Sequence, residues 1–217
     1  MGYYVVIDLE MCKVPKRDRK GYGHTREIIQ IGAVLLNEEY EVIDKYNSYV
    51  KPEYGYLTKH IKDLTGITEI ELGDAPCFKM AMDSFEKWLP DDVTAISWSF
   101  ADKDQFVHEL TGKGIPISSK FNRIIDNWID CQPEFSRKMN MLNKLYSLEE
   151  ALIATDICTD GRAHNGLDDA YNTALLYAKM MKEETLVLNS YYSVAHNKGE
   201  QTSLSYGLED IIGAAGF

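Results

Sequence analysis

The first third of the chain alternates short apolar runs with polar segments, a pattern typical of β-strands. Residues 3–9, 27–36 and 41–50 are rich in β-branched and aromatic side chains, and we expect each to form a strand. Residues 11–26 are polar and contain Pro15 and two glycines, so they are predicted to form a loop. Turns join the three strands, and the pattern therefore predicts an antiparallel meander.

From residue 77 onward the apolar positions change to helical spacing. Apolar side chains recur every three or four positions in residues 77–89, and residues 93–97 form a short apolar run that predicts a buried strand. Helices are also predicted over three later segments, residues 101–111, 147–154 and 166–182. A strand-rich start followed by alternating elements predicts an α/β fold, in which helices flank a mixed sheet. Residues 189–217 have no assignable pattern.

Composition places the chain among globular proteins. Its 217 residues are 45% apolar and contain no repeat or linker, so we expect one domain. No window approaches the ~18 uninterrupted apolar residues of a membrane helix, and the N-terminus lacks a basic secretory region. The four cysteines are widely spaced without a CxxC pair, which argues against a zinc ribbon or disulfide framework. That usage favours a cytoplasmic location.

The net charge argues against nucleic acid as a partner, although local charges can outweigh it. The chain has 23 basic and 34 acidic residues and a formal charge of −11, which repels polyanions on average. Residues 11–26 run against this trend, because they hold six basic side chains and one aspartate. The basic side chains are those of Lys13, Lys16, Arg17, Arg19, Lys20 and Arg26.

Asp8 and Glu10 are acids at the end of an apolar strand, where acids are unexpected. Residues two apart in a strand face the same side, so the two carboxylates are expected to project together. Like charges this close are unfavourable without a cation between them, and Mg²⁺ or Mn²⁺ prefers such oxygen ligands. The alternative is that both acids begin a solvated loop. Cys12 has the same parity, so one alternative is a position near the cation, but we expect it to be an inert, partly buried thiol.

Two later segments also place acids next to regular elements. Asp102 follows the strand at 93–97, where either a role in a site or simple capping of the next helix explains it. His164 precedes Asp169 by five residues, which is about 500° of helix, so the two cannot share one face of a continuous helix. Gly166 therefore favours a loop position for His164, from which it leans over a site that includes Asp169. The alternative is an exposed histidine with acids at a helix N-terminus.

In this order, Asp8-x-Glu10, Asp102 and His164-x4-Asp169 resemble the motif of the DEDDh 3′–5′ exonuclease family. That family includes ribonuclease T and the proofreading subunits of DNA polymerases.

Further segments match the same family. Residues 28–34 resemble its second strand and residues 64–68 its Thr-Gly-Ile-Thr segment. Residues 97–102 and 164–173 are most similar to the subgroup of KapD-type exonucleases and exonucleases that trim histone mRNA and siRNA. The resemblance identifies residues 1–182 as the exonuclease domain and leaves 183–217 as a C-terminal extension, which we expect to pack on the same domain.

The resemblance implies a ribonuclease H-like fold, with a mixed five-stranded sheet flanked by helices. It also implies two divalent ions, Mg²⁺ or Mn²⁺, held by the four acids Asp8, Glu10, Asp102 and Asp169. His164 takes the position of the general base that deprotonates the attacking water, a task that suits an imidazole. The expected product is a nucleoside 5′-monophosphate released from the 3′ end.

Substrate contacts follow from the resemblance and from local charge. The family positions that contact the terminal base correspond to Leu9, Met11, Thr65, Gly66 and Ile67. Phe100 is either a stacking platform for the next base or a core aromatic. Residues 11–26, with Lys16 and Arg17, are expected to grip the phosphate backbone, unless they form a mobile solvated loop.

The sequence therefore predicts a metal-dependent 3′–5′ exonuclease that acts on single-stranded 3′ ends, with RNA favoured over DNA. Two alternatives stay open. A non-catalytic module that binds nucleic acid or a protein is opposed by the presence of all five motif residues. A polymerase-associated proofreading exonuclease needs a docking motif, and residues 183–217 contain none that is recognisable. We expect no membrane association, and both a monomer and a homodimer are compatible with the sequence.

Overall fold

Five strands form the sheet at the centre of the structure. The computed structural model describes residues 2–140, 143–159 and 161–189. In chain order the strands are β1 (Tyr3–Lys13), β2 (Arg26–Leu36), β3 (Val42–Tyr49), β4 (Val93–Ser97) and β5 (Ile129–Asp130). They lie in the order β3-β2-β1-β4-β5, with β1 in the middle. Strands β1, β2 and β3 pair antiparallel, whereas β4 pairs parallel to both β1 and β5. The predicted meander and mixed sheet are confirmed.

Helices cover both faces of this sheet. In the described part of the chain they are α1 (Arg19–Tyr22), α2 (Lys59–Thr65), α3 (Glu69–Gly73), α4 (Phe78–Trp88), α5 (Ala101–Gly112), α6 (Ser119–Asp126), α7 (Cys131–Lys138), α8 (Leu148–Ala154) and α9 (Gly166–Lys182). None of them is long and apolar enough to cross a membrane. The four helices that the periodicity predicted are confirmed as α4, α5, α8 and α9.

The period of two along β1 sorts its side chains between two cores. Val5, Ile7 and Leu9 pack with α4, α5 and α6 on one face of the sheet. Val6 packs with α7, α8 and α9 on the other face. Asp8 and Glu10 follow Val6 in the same alternation, so they project on the α9 side.

The prediction of a loop over residues 11–26 is wrong at its start and its centre. Strand β1 continues to Lys13, because Met11, Cys12 and Lys13 pair with β2 beyond a bulge at Glu10 and Met11. Residues Arg19–Tyr22 form the short helix α1. Main-chain pairing with β2, which the polar side chains do not reveal, extends the strand.

Cys12 is buried beside Ile29 and Ile67 in a third, smaller cluster. Burial, followed by the nearby Glu27, raises the pKa of the Cys12 thiol to about 12. The thiol is therefore inert at neutral pH, as expected. All four cysteines of the chain lie in the described ranges and are free thiols.

The start of the C-terminal extension packs on the α9 layer. Leu186 is buried in that core, and the Asn189 amide donates to the Ala154 carbonyl oxygen over 2.9 Å. Residues 190–217 lie outside the described ranges. The boundary at residue 182 therefore remains a prediction.

A buried ion cluster ties the segment between β1 and β2 to α5. Lys113, whose side chain is 4% exposed, lies 2.7 Å from Glu27 and 3.0 Å from Glu109. The Tyr22 hydroxyl of α1 donates to Glu109 over 2.6 Å. Burial alone lowers the pKa of a lysine, but the charges of Glu109 and Glu27 outweigh it and raise the pKa of Lys113.

We expect Lys113→Met to destabilise the protein by about 3–5 kcal/mol, because it leaves Glu27 and Glu109 buried without their cation. Urea denaturation with a fluorescence readout measures this change. Lys79→Met is the matched control, since Lys79 pairs with Asp83 on the surface of α4 and such pairs contribute little. Equal losses in the two variants would contradict the assignment of Lys113 as the buried counter-charge.

Candidate active site

The N-terminus of α9 lies directly on the backbone of β2. A Cβ atom on Gly32 would overlap the carbonyl group of Gly166, so only glycine permits this approach. The Gln30 side chain accepts a hydrogen bond from the Gly166 amide over 3.1 Å. Asn165 caps the helix, since its side chain accepts hydrogen bonds from the first amides of α9. These contacts fix the first turn of α9 beside the middle of β1.

Four carboxylates from three elements converge at this point. Asp8 and Glu10 come from β1 and are half-buried. Asp102 comes from the first turn of α5 and is 6% exposed. Its carboxylate accepts a hydrogen bond from the Leu9 amide over 3.1 Å. Asp169 comes from the first turn of α9. The structure thus places all four predicted acids around one site.

His164 lies on the loop before α9, as predicted, and is exposed. Its φ of 61° is left-handed, a conformation that costs free energy in a residue with a Cβ. Its amide donates to the Asp169 carboxylate over 2.8 Å, which holds this conformation. Potential ligand atoms of Glu10, His164 and Asp169 lie within 4.8 Å of one another.

The carboxylates perturb one another strongly. Burial, then the charges of Asp102, Asp169 and Glu10, raise the pKa of Asp8 well above its ordinary value. Burial, then Asp169 and Asp102, raise the pKa of Glu10 to about 7. Burial also raises the pKa of Asp102 to about 7, although the Leu9 amide opposes the shift. The pKa of Asp169 is raised by burial in the same way.

This donor set fits a divalent cation. The charges that act on Asp8 and Glu10 are all carboxylates, so the described residues around them supply no cation of their own. Clustered carboxylate oxygens are the ligands that Mg²⁺ and Mn²⁺ prefer, and the His164 imidazole lies at the edge of this set. A bound cation would offset the repulsion that raises these pKa values.

Sequence reasoning missed a fifth acid near the site. Asp130 ends β5, next to β4, and accepts the Gln132 amide over 3.0 Å as the N-cap of α7. Its charge contributes to the raised pKa of Asp102. Strand β5 has only two residues, which is too short for a periodic pattern, so the chain gives no local signal for Asp130.

The predicted contacts to the terminal base are divided between the core and the surface. Leu9 and Ile67 are 3% and 1% exposed and pack in the core, and Thr65 is also buried. Thr65 accepts the Ile67 amide over 3.1 Å and thereby shapes the turn at Gly66. Met11 lines an open cleft next to Glu10. Only Met11 and Gly66 of this set have side-chain or backbone surface outside the core.

Phe100 is exposed, which excludes the alternative of a core aromatic. The side chain is 42% exposed and immediately precedes α5, two positions before Asp102. The Lys103 ammonium lies 5.0 Å from the ring centroid. The ring is therefore available for stacking.

A cleft of about 660 Å³ begins at Glu10 and Met11 and carries positive charge. Its lining includes Lys13, Arg19 and Arg26, three of the six basic side chains of residues 11–26. Arg17 instead lines a neighbouring cleft and pairs with Asp18, and Lys16 is exposed. The basic segment thus borders the acidic site, with Lys13, Arg19 and Arg26 in the lining of this cleft and Arg17 in that of the other.

Comparison with known proteins gives a consistent family. The RNase_T family model, described as an exonuclease, matches residues 5–177. The human protein ERI1 exoribonuclease 2 is 30% identical over 202 residues, which cover 83% of this chain and 28% of that protein. DNA polymerase III subunit epsilon of Aquifex aeolicus is 28% identical over 197 residues, with 89% and 88% of the two chains covered.

A solved structure shares the fold. The nuclease domain of 3′hExo, described as a DEDDh family member bound to rAMP, superposes with a TM-score of 0.70. It is 23% identical, and 86% of this chain and 96% of that one are covered. The chain spans less than a third of the length of human ERI1 exoribonuclease 2.

We expect the metal-free protein to lose thermal stability as the pH rises from about 4.5 to about 7. The pKa of Glu10 is near 7 in the folded protein against an ordinary 4.5, so the folded state binds the extra proton in this window. Raising the pH removes that proton and its contribution to folding. Mg²⁺ should restore the stability, with a larger melting-temperature increase at pH 8 than at pH 5.

Melting curves in EDTA and in Mg²⁺ between pH 5 and 8 measure this effect. Glu10→Gln should weaken both the pH dependence and the Mg²⁺ response. Asp104→Asn removes an exposed acid from α5 and should change neither. A melting temperature that is independent of pH in EDTA would refute the proposed mutual repulsion of the site acids.

Proposed function

The chain belongs to the exonuclease family of the RNase_T model, and from this premise we propose that it is a metal-dependent 3′–5′ exonuclease. It removes nucleoside 5′-monophosphates from the 3′ end of single-stranded nucleic acid, with RNA preferred over DNA. The observation that carries the proposal is the convergence of Glu10, His164 and Asp169 within 4.8 Å, beside Asp8 and Asp102.

Two divalent ions, Mg²⁺ or Mn²⁺, are the proposed cofactors. Asp8, Glu10, Asp102 and Asp169 hold them, because these carboxylates converge and the charges that act on Asp8 and Glu10 are all those of other carboxylates. Bound divalent ions supply positive charge that stabilises the attacking and leaving oxygens of a phosphodiester. The Leu9 amide orients Asp102, and the His164 amide orients Asp169.

His164 is the proposed general base. Its exposed position on the loop before α9 gives an attacking water access to the imidazole, which accepts the proton. The hydrogen bond from its amide to Asp169 keeps the histidine next to the carboxylates. Removing the imidazole therefore affects proton transfer while leaving the acids in place.

The cleft next to Glu10 is the proposed path of the substrate strand. Met11 and the turn at Gly66 border the terminal nucleotide, and Phe100 offers a stacking surface. Lys13, Arg19 and Arg26 hold backbone phosphates along the cleft, which lets an acidic protein bind a polyanion locally. Leu9, Thr65 and Ile67 contribute through their backbone or through packing, since their side chains are buried.

The RNA preference rests on the relatives. The human relative is named an exoribonuclease, and the 3′hExo nuclease domain was solved with a ribonucleotide. The second candidate function is proofreading for a DNA polymerase. It is favoured by the near-complete match in length to the polymerase III epsilon subunit. We also propose a cytoplasmic location, consistent with four free thiols.

A degradation assay on 5′-labelled single-stranded RNA and DNA tests the activity. We expect a ladder of single-nucleotide steps that needs Mg²⁺ or Mn²⁺, disappears in EDTA and appears faster on RNA. His164→Ala should lower kcat by about 10²–10⁴-fold, the usual contribution of general-base catalysis. Asp169→Asn should abolish the ladder.

Asp104→Asn serves as the control for these variants and should behave as wild type. Faster degradation of DNA, together with retention on a DNA polymerase in a pull-down, would favour the proofreading function instead. No ladder on either substrate with either metal would refute the exonuclease activity.

Charge reversal separates the two halves of the basic segment. We expect the double change Arg19→Glu and Arg26→Glu to raise KM roughly tenfold and to flatten its dependence on salt, because both side chains line the cleft at Glu10. The matched change Lys16→Glu and Arg17→Glu removes the same charge outside that cleft and should have a much smaller effect. Equal effects would show that the whole segment acts by general attraction.

A further inference from the structure

One side chain of the His164 loop reaches away from α9 and contacts α2. The Arg162 guanidinium donates hydrogen bonds from Nη2 to the carbonyl oxygens of Asp63 and Leu64, over 2.9 and 3.3 Å. These carbonyls belong to the last turn of α2, where the helix leaves its acceptors without main-chain donors. A cation at this end is also favoured by the helix dipole.

Gly66, the residue that follows α2, lies directly against this guanidinium. It caps α2 in the left-handed conformation, with φ of 76°. A Cβ atom at this position would overlap Nη1 of Arg162. A side chain at this position would therefore require the guanidinium to shift.

The loop has a left-handed backbone at two positions, and this conformation costs free energy at His164, which has a Cβ, but not at Gly161. Gly161 and His164 have φ values of 80° and 61°. The Arg162 and His164 amides donate to Asp168 and Asp169, each over 2.8 Å, so these bonds tie the loop to the start of α9. The Arg162 side chain adds a tie to a different element. His164 is exposed, so burial does not hold its side chain in place.

We propose that Arg162 is a positioning residue for His164. By clamping the loop between the last turn of α2 and the first turn of α9, it keeps the imidazole beside Glu10 and Asp169. The inference rests on the proposed role of His164 as the general base. Arg162 also links two parts of the proposed site. One is the turn at Gly66, which borders the proposed site of the terminal nucleotide, and the other is the loop that carries the general base His164.

Steady-state kinetics on 5′-labelled RNA test the proposal with Arg162→Ala and Arg162→Lys. We expect Arg162→Ala to lower kcat by about tenfold or more with less than a twofold change in KM, because small displacements of a reacting group are costly. Lysine offers one ammonium in place of the planar fork and should rescue only part of the rate. Arg123→Ala, which removes an exposed arginine from α6, is the control and should match wild type.

A double-mutant cycle with His164→Ala separates positioning from direct action. If Arg162 works through His164, then Arg162→Ala should have almost no further effect on kcat once the imidazole is gone. A full additional loss in the His164→Ala background would overturn the proposal and make Arg162 an independent contact to the substrate. A rise in KM alone would overturn it as well.

NMR relaxation provides a readout that does not depend on activity. The backbone order parameter of the His164 amide should be that of a rigid residue, near 0.85, in wild type and should fall toward the flexible range below about 0.6 in Arg162→Ala. Gly66→Ala, which displaces the guanidinium from the other side, should give the same result.

The two proposals fail in different ways. An inactive wild type with a loop that loosens on substitution would refute the exonuclease activity alone. An active wild type whose His164 order parameter is unchanged in both variants would refute the role of Arg162.

Discussion

The contact between Gly32 of β2 and Gly166 of α9 is the constraint on which the site depends. Because neither residue has a side chain, the first turn of α9 lies against the sheet instead of a side-chain layer above it. Gln30 then satisfies the Gly166 amide, which would otherwise be buried without an acceptor. This approach brings Asp169 from the end of the described chain to Glu10 near its beginning, and His164 follows because its amide binds Asp169.

Two groups of acids lie next to the sheet, one fully buried and one mostly half-buried, and their surroundings differ. Glu27 and Glu109 receive Lys113 as an internal cation, which links β2 to the C-terminal end of α5. At the second site, the charges that act on Asp8, Glu10 and Asp102 are those of other carboxylates, whereas Asp169 also has the His164 imidazole, which acts against the burial that raises its pKa. The raised pKa values at the second site are those of carboxylates that are desolvated and lie close together, and a divalent cation bound there would relieve this repulsion.

The sequence pattern predicted those features of the site that depend only on residues close together in the chain. Period-two alternation placed Asp8 and Glu10 on one face of a strand, and Gly166 placed His164 before the helix, as the structure shows. The extension of β1 to Lys13 and the bulge at Glu10 depend on pairing with β2, which leaves no trace in the polar side chains. Asp130 was not predicted for a similar reason. It lies in β5, whose two residues form a strand only by pairing with β4.

The same distinction applies to the basic segment. The sequence predicts phosphate contacts at Lys16 and Arg17, whereas Lys13, Arg19 and Arg26 line the cleft. A charge run shows only that a segment is positive. The orientation of each side chain follows from how the segment is anchored, here by Tyr22 on Glu109 and by the continuation of β1 to Lys13. With these anchors, Lys13, Arg19 and Arg26 face the space beside Glu10. A protein of net charge −11 can thus present basic side chains next to the carboxylates of its candidate site, where a phosphate chain would otherwise be repelled.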